Sequence, residues 1–156
     1  GVAINNTGAR LEKWKESLLL ARERPVFGYG EDGYRQRESE LVEEGLVDEV
    51  VIRLSHFHSD YFDALVTGGI PGLFSVLFIF TLPFFVFLRR IKKLGMLSIA
   101  GMSFPLAFAV SALTDVPLKH GFTFFLYCFG MVFLFSYLVR PIRESAKGQG
   151  NSESSS

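Results

Sequence analysis

The sequence predicts an all-α membrane protein. An outward-facing helical region is followed by three transmembrane helices, together a fragment of a larger polytopic bundle. Three observations carry this reading. Three apolar runs, at about 70–88, 94–113 and 121–139, each have about the 20 residues that cross a hydrocarbon core. Charge is partitioned: residues 1–60 hold eight Lys/Arg against twelve Asp/Glu, and residues 61–156 hold eight against four. Basic residues punctuate the apolar half at Arg89, Arg90, Lys92 and Lys93, and again at Arg140, Arg143 and Lys147.

The elements follow in order. Residues 10–24 read as an amphipathic helix, with Leu11, Trp14, Leu18 and Ala21 at helical spacing and Lys13, Lys15, Glu16 and Glu23 elsewhere around the wheel. Asn6 or Thr7 is placed to cap it, and Pro25 stops it. Gly28-Tyr29-Gly30 and Asp32-Gly33 then form a turn-rich link. Residues 35–45 are strongly charged, and the run Glu38–Glu44 reads as a solvated face. Residues 46–54 make a short apolar-periodic piece, helical rather than extended, that delivers His56 and His58. Pro83 and Pro105 fall inside spans, where neighbouring helices re-satisfy the freed carbonyls. The expected organisation is a loop region at 1–60, three helices within 61–143 and a disordered Ser/Gly-rich tail at 144–156.

The basic clusters give an orientation. Residues 89–93 and the tail are placed in the cytoplasm by the excess of Lys and Arg. Three crossings then put residues 1–60 and the short 114–120 loop on the outer side. The chain opens on Gly1 without a signal-peptide pattern, and is expected to be the carboxyl-terminal part of a larger membrane protein.

Composition also narrows function. Net charge is zero and no basic-aromatic patch exists, so no nucleic-acid partner is expected. The single cysteine, Cys128, cannot form an intrachain disulfide and reads as a packing residue. His56-x-His58 lacks acidic neighbours at suitable spacing apart from Asp60 and Asp63, so no metal site and no cofactor are expected.

The most informative stretch is His58-Ser59, nine residues, then Gly69-Ile70-Pro71-Gly72 at the mouth of the first apolar run. An ionisable side chain at a membrane boundary is costly to desolvate and points to function. Histidine exchanges protons near neutral pH. Upstream, Arg10 opens a helix containing Trp14, which runs into Arg24-Pro25-Val26-Phe27-Gly28-Tyr29-Gly30. For Arg10 alone, a place at a helix start opposes the helix dipole, which favours a ligand role.

These two patterns together resemble the O-antigen ligase family: an Arg-x-x-x-Trp helix followed by a Pro-x-x-Gly-x-Gly turn, then His-Ser and Gly-x-x-Gly entering a span. The resemblance covers residues 8 to about 90. Where the family often shows Asn after the histidine, this chain has Ser59. The resemblance implies a bacterial inner-membrane, metal-independent glycosyltransferase with a periplasmic site. A glycan on undecaprenyl pyrophosphate is transferred to an acceptor hydroxyl, most often on lipid A–core oligosaccharide. It further implies that His58 is the general base and Arg10 the donor-phosphate ligand, with Gly69 and Gly72 forming a tight entry to the span. The family's further arginine belongs to an earlier outer loop.

Arg53, Ser59 and His56 complete the expected substrate-binding set. Arg53 either touches phosphate or pairs with Glu49 one turn earlier. Ser59 either fixes the histidine or caps the next helix. Polymerase and protein oligosaccharyltransferase activities of the same family differ in the acceptor. A non-catalytic polysaccharide export or assembly component is the reading from another class.

Overall fold

A computed structural model describes residues 6–54 and 57–153, with side chains described for 7–54 and 57–138. Among the described residues every regular element is helical: α1 Asn6–Glu23, α2 Tyr34–Glu43, a 3-10 turn Glu49–Arg53, α3 Asp60–Leu88, α4 Ile91–Leu94, α5 Met96–Ser111 and α6 Gly121–Glu153. The all-helical expectation is borne out. α3 and α6 are long and apolar enough to cross a membrane. The third apolar helix, α5, has 16 residues. At 1.5 Å per residue it is about 24 Å long, short of a hydrocarbon core of about 30 Å. α6 continues to Glu153, through the stretch expected to be a disordered tail.

α1 starts earlier than expected, with Asn6 and Thr7 already helical. Its buried face is also not the apolar one. Ala9, Lys13, Glu16, Ser17 and Leu20 are buried, while Leu11 and Leu18 are 56% and 48% exposed. Charge pairing explains the inversion. Lys13 Nζ pairs with Glu38 of α2, lies 2.9 Å from Glu16 Oε2 and donates to the Val51 carbonyl at 3.2 Å. It also sits 4.9 Å from the centre of the Phe57 ring. Buried charges survive only when partnered in this way. The cluster ties α1, α2 and the 3-10 turn to a small core of Leu20, Tyr34, Leu41, Val47, Val51, Phe57 and Val66. Glu38, read as part of a solvated face, is therefore an interior residue.

α3 is not one rod. Gly69 takes φ 64° and ψ −156°, and the helix breaks there. The Tyr61 and Phe80 rings nevertheless lie 6.3 Å apart between centres. In a straight helix those residues would be about 28 Å apart along the axis. The chain must fold back at Gly69, so that 60–68 packs against the start of 70–88. Gly72 allows this approach, because a Cβ there would strike the Ala64 carbonyl.

The sequence writes this hairpin with ordinary helix punctuation. A glycine at positive φ ends the first arm, and Pro71 lies in the first turn of the second, where its missing N–H costs nothing. The backbone groups freed by the break are satisfied from the Pro25–Gly30 turn. Tyr29 and Gly30 donate their N–H groups to the Val66 and Thr67 carbonyls at 2.8 and 2.9 Å, and Ile70 donates to the Pro25 carbonyl at 2.8 Å. The upstream turn thus caps the downstream break. A second core, built on Phe80, Phe87, Ala112, Tyr127, Met131 and Leu138, joins α3, α5 and α6.

Candidate functional site

The histidine is held by both its neighbours. Phe57 is fully buried, and its carbonyl accepts the indole N–H of Trp14 at 3.0 Å. Trp14 also packs on Phe62, with ring centres 5.5 Å apart. Ser59 is 1% exposed, and its hydroxyl donates to the Ala112 carbonyl at 3.0 Å. Between these anchors His58 is half-buried, at φ 52°. A non-glycine residue in the left-handed region is uncommon, and such strain persists only where the surroundings enforce it.

Arg10 stands one helical turn before Trp14, on the same side of α1. Because Trp14 is bonded to the residue preceding His58, the helix carries the guanidinium towards the imidazole. Arg10, His58, Ala9 and Leu54 line one cavity of about 260 Å³. Arg10 also borders a second hollow of about 210 Å³ with Thr7, Leu11, Trp14 and Thr114. Its Nη1 donates to the Thr114 carbonyl at 3.3 Å.

The other expected site residues fall differently. Arg53 ends the 3-10 turn with an exposed side chain, and among the described residues no ion pair joins it to Glu49. Ser59 is too deeply buried to touch a substrate, and it makes no side-chain cap to α3. Its hydroxyl is engaged with the Ala112 carbonyl. His56 lies outside the described residues. Gly69 and Gly72 sit at the helix break and in its second arm, away from the cavity lining.

Sequence reasoning overlooked the floor of the site. The Ala112 carbonyl accepts the Asp60 N–H at 3.0 Å as well as the Ser59 hydroxyl, and the Asp60 carboxylate accepts the Leu118 N–H at 3.0 Å. Asp63 pairs with Lys119 at 2.7 Å, and Lys119 reaches Glu31 at 3.0 Å. The available signal was charge isolation. Asp60 and Asp63 are the only acids near the first apolar run, and Lys119 is the only lysine in the 114–120 loop.

Behind the site, burial lifts the Glu16 carboxyl to about 7, with the nearby Glu38 adding to the rise and Lys13 opposing it. The Lys13 ammonium lies 2.9 Å from Glu16 Oε2, so the pair is held as an ion contact inside the cluster. Farther along α1, Arg37 hydrogen-bonds Glu23 and holds its carboxyl below the usual range.

The fold and site together define a helical membrane protein with an arginine–histidine cavity at one end of its apolar bundle. Residues 4–77 match the model of the O-antigen ligase family, the family whose motifs this segment resembles. An uncharacterized protein of Haemophilus influenzae is 27% identical over 85 residues, covering 54% of this chain and 21% of the relative. The chain therefore aligns with about a fifth of that curated relative's length.

Proposed function

We propose that the chain carries the catalytic site of an enzyme that moves a glycan from undecaprenyl pyrophosphate to an acceptor hydroxyl. Lipid A–core oligosaccharide is the favoured acceptor. The site faces the periplasm from the bacterial inner membrane, with residues 1–60 outside and the carboxyl terminus in the cytoplasm. The carrying observation is a cavity lined by both Arg10 and His58 within the family-matched segment.

The chemistry follows from the groups. The acceptor oxygen attacks the anomeric carbon while the bond from that carbon to the pyrophosphate oxygen breaks. The electron pair leaves with the pyrophosphate, where negative charge grows. The acceptor proton passes to His58 as general base and afterwards to water. Arg10 supplies fixed positive charge where the leaving group develops its own. One Nη1 contact is spent on Thr114, and among the described residues no other hydrogen bond occupies the guanidinium, which leaves N–H groups to grip phosphate oxygens. Arg53, one residue before the cavity-lining Leu54, adds positive charge at the rim. With arginines carrying this charge, the reaction proceeds without a metal, and transfer should survive chelation.

The test is His58→Ala in the full-length protein, expressed in cells lacking the native copy. Glycan-bearing lipid A–core should disappear while membrane protein level persists. Normal transfer by this variant would reject the catalytic reading and leave a glycan-binding assembly or export component. Transfer to another glycan or to protein in place of lipid A–core would identify the polymerase or oligosaccharyltransferase alternative.

A further inference from the structure

We infer that the 112–118 segment joining α5 to α6 sets the spacing between Arg10 and His58, and that Asp60 is the positioning residue through which it does so. The inference rests on the proposed transfer reaction. It extends the machinery beyond the family-matched residues 4–77, since the whole segment lies outside them.

The bonds form a closed circuit. Trp14 ties α1 to the Phe57 carbonyl on one side of the histidine. On the other side, Ser59 and Asp60 are tied to Ala112, and the Asp60 N–H also reaches the Asp115 carbonyl at 3.2 Å. The same segment then returns to α1 through Thr114, whose carbonyl accepts from Arg10. One short loop therefore grips the guanidinium and the two residues that follow the imidazole. The loop thus adds a tie between α1 and the segment carrying His58, beside the Trp14 bond.

Within the circuit Asp60 is the residue with both roles. Its N–H and its carboxylate bind the loop at two separated points, Ala112 and Leu118. Its side chain is 4% exposed, so it has no direct access to a substrate. Placed in the first turn of α3, its negative charge also suits the helix dipole. Small displacements of reacting groups cost large factors in rate. Loss of the Leu118 bond should thus lower turnover without weakening donor binding, because the donor grips Arg10 and not Asp60.

The experiment uses purified full-length protein with an undecaprenyl-pyrophosphate-linked repeat unit as donor and rough lipopolysaccharide as acceptor. Asp60→Ala should lower kcat at least tenfold per folded molecule, with donor KM within twofold. Asp60→Asn keeps an oxygen for the Leu118 N–H and should stay within threefold of wild type. If Asp60→Ala does not fold, Ser59→Ala carries the test, with a threefold or larger loss in kcat and unchanged KM. Wild-type kcat in the folded alanine variant, equal impairment of both Asp60 variants, or an effect on KM alone would overturn the inference. His58→Ala is run beside them. Its full activity would reject the transfer reading itself, whereas an inactive His58→Ala with a normal Asp60→Ala would reject the positioning role alone.

Discussion

Gly28 and Gly69 meet backbone to backbone. A Cβ on Gly69 would strike the Val26 carbonyl, and one on Gly28 would lie 2.7 Å from the Gly69 nitrogen. Both residues have positive φ, at 65° and 64°. The two glycine motifs are therefore halves of one joint, which docks the turn after α1 onto the break in α3.

Substitution at this joint should be severe and local. Gly69→Ala combines a backbone conformation nearly restricted to glycine with a collision against fixed backbone, and should cost about 2–4 kcal/mol. Gly68→Ala is the control, because a Cβ there meets nothing within 4 Å. It should change stability by less than about 0.5 kcal/mol. Thermal unfolding of the purified full-length variants distinguishes them, and equal losses at both positions would contradict the joint.

The charge identity of Arg10 matters as much as its charge. Arg10→Ala should reduce transfer at least tenfold. Arg10→Lys should restore only part of it, since an ammonium lacks the planar fork that grips two phosphate oxygens. Complete rescue by lysine, measured as glycan attached to lipid A–core, would reduce the residue's role to charge steering.

Stability should depend on pH through Glu16. The folded carboxyl sits at about 7 against an ordinary value of 4.5. Between these values the native state holds a proton that the unfolded state has released. Raising the pH therefore removes stability across 4.5 to 7; the contribution is complete below that window and gone above it. Glu16→Gln should flatten this dependence. Unfolding midpoints from pH 4.5 to 8 test it, and an unchanged slope in the variant would assign the dependence to another group.

Orientation has its own measurement. On a Cys128→Ala background, a cysteine at Ser39 should react with an impermeant maleimide added to spheroplasts. A cysteine at Lys92 should react only after lysis. The opposite pattern would invert the proposed topology.

Much of this architecture was legible because its signals are local. The apolar runs announce the long helices, and the first is expected to start near residue 70, directly after the break at Gly69. The fold-back itself was not legible, since it is the contacts of Tyr61 with Phe80 and of Ala64 with Gly72 that reveal which way the second arm runs. The buried face of α1 was misread for a related reason. Hydropathy assigns Lys13 and Glu16 to water, and only their partners on α2 and the 3-10 turn make their burial tolerable. In the site, His58 and Arg10 stood out by motif. The 112–118 floor did not, because it acts mainly through backbone carbonyls and N–H groups, which carry no residue signature.

The most direct measurement is a double-mutant cycle on kcat/KM with Arg10→Ala, His58→Ala and the combined variant. Groups that serve one transition state lose their effects together, so the double variant should be little worse than the poorer single variant. Losses that multiply, or substantial transfer by either single variant, would mean that the guanidinium and the imidazole do not work at a common site.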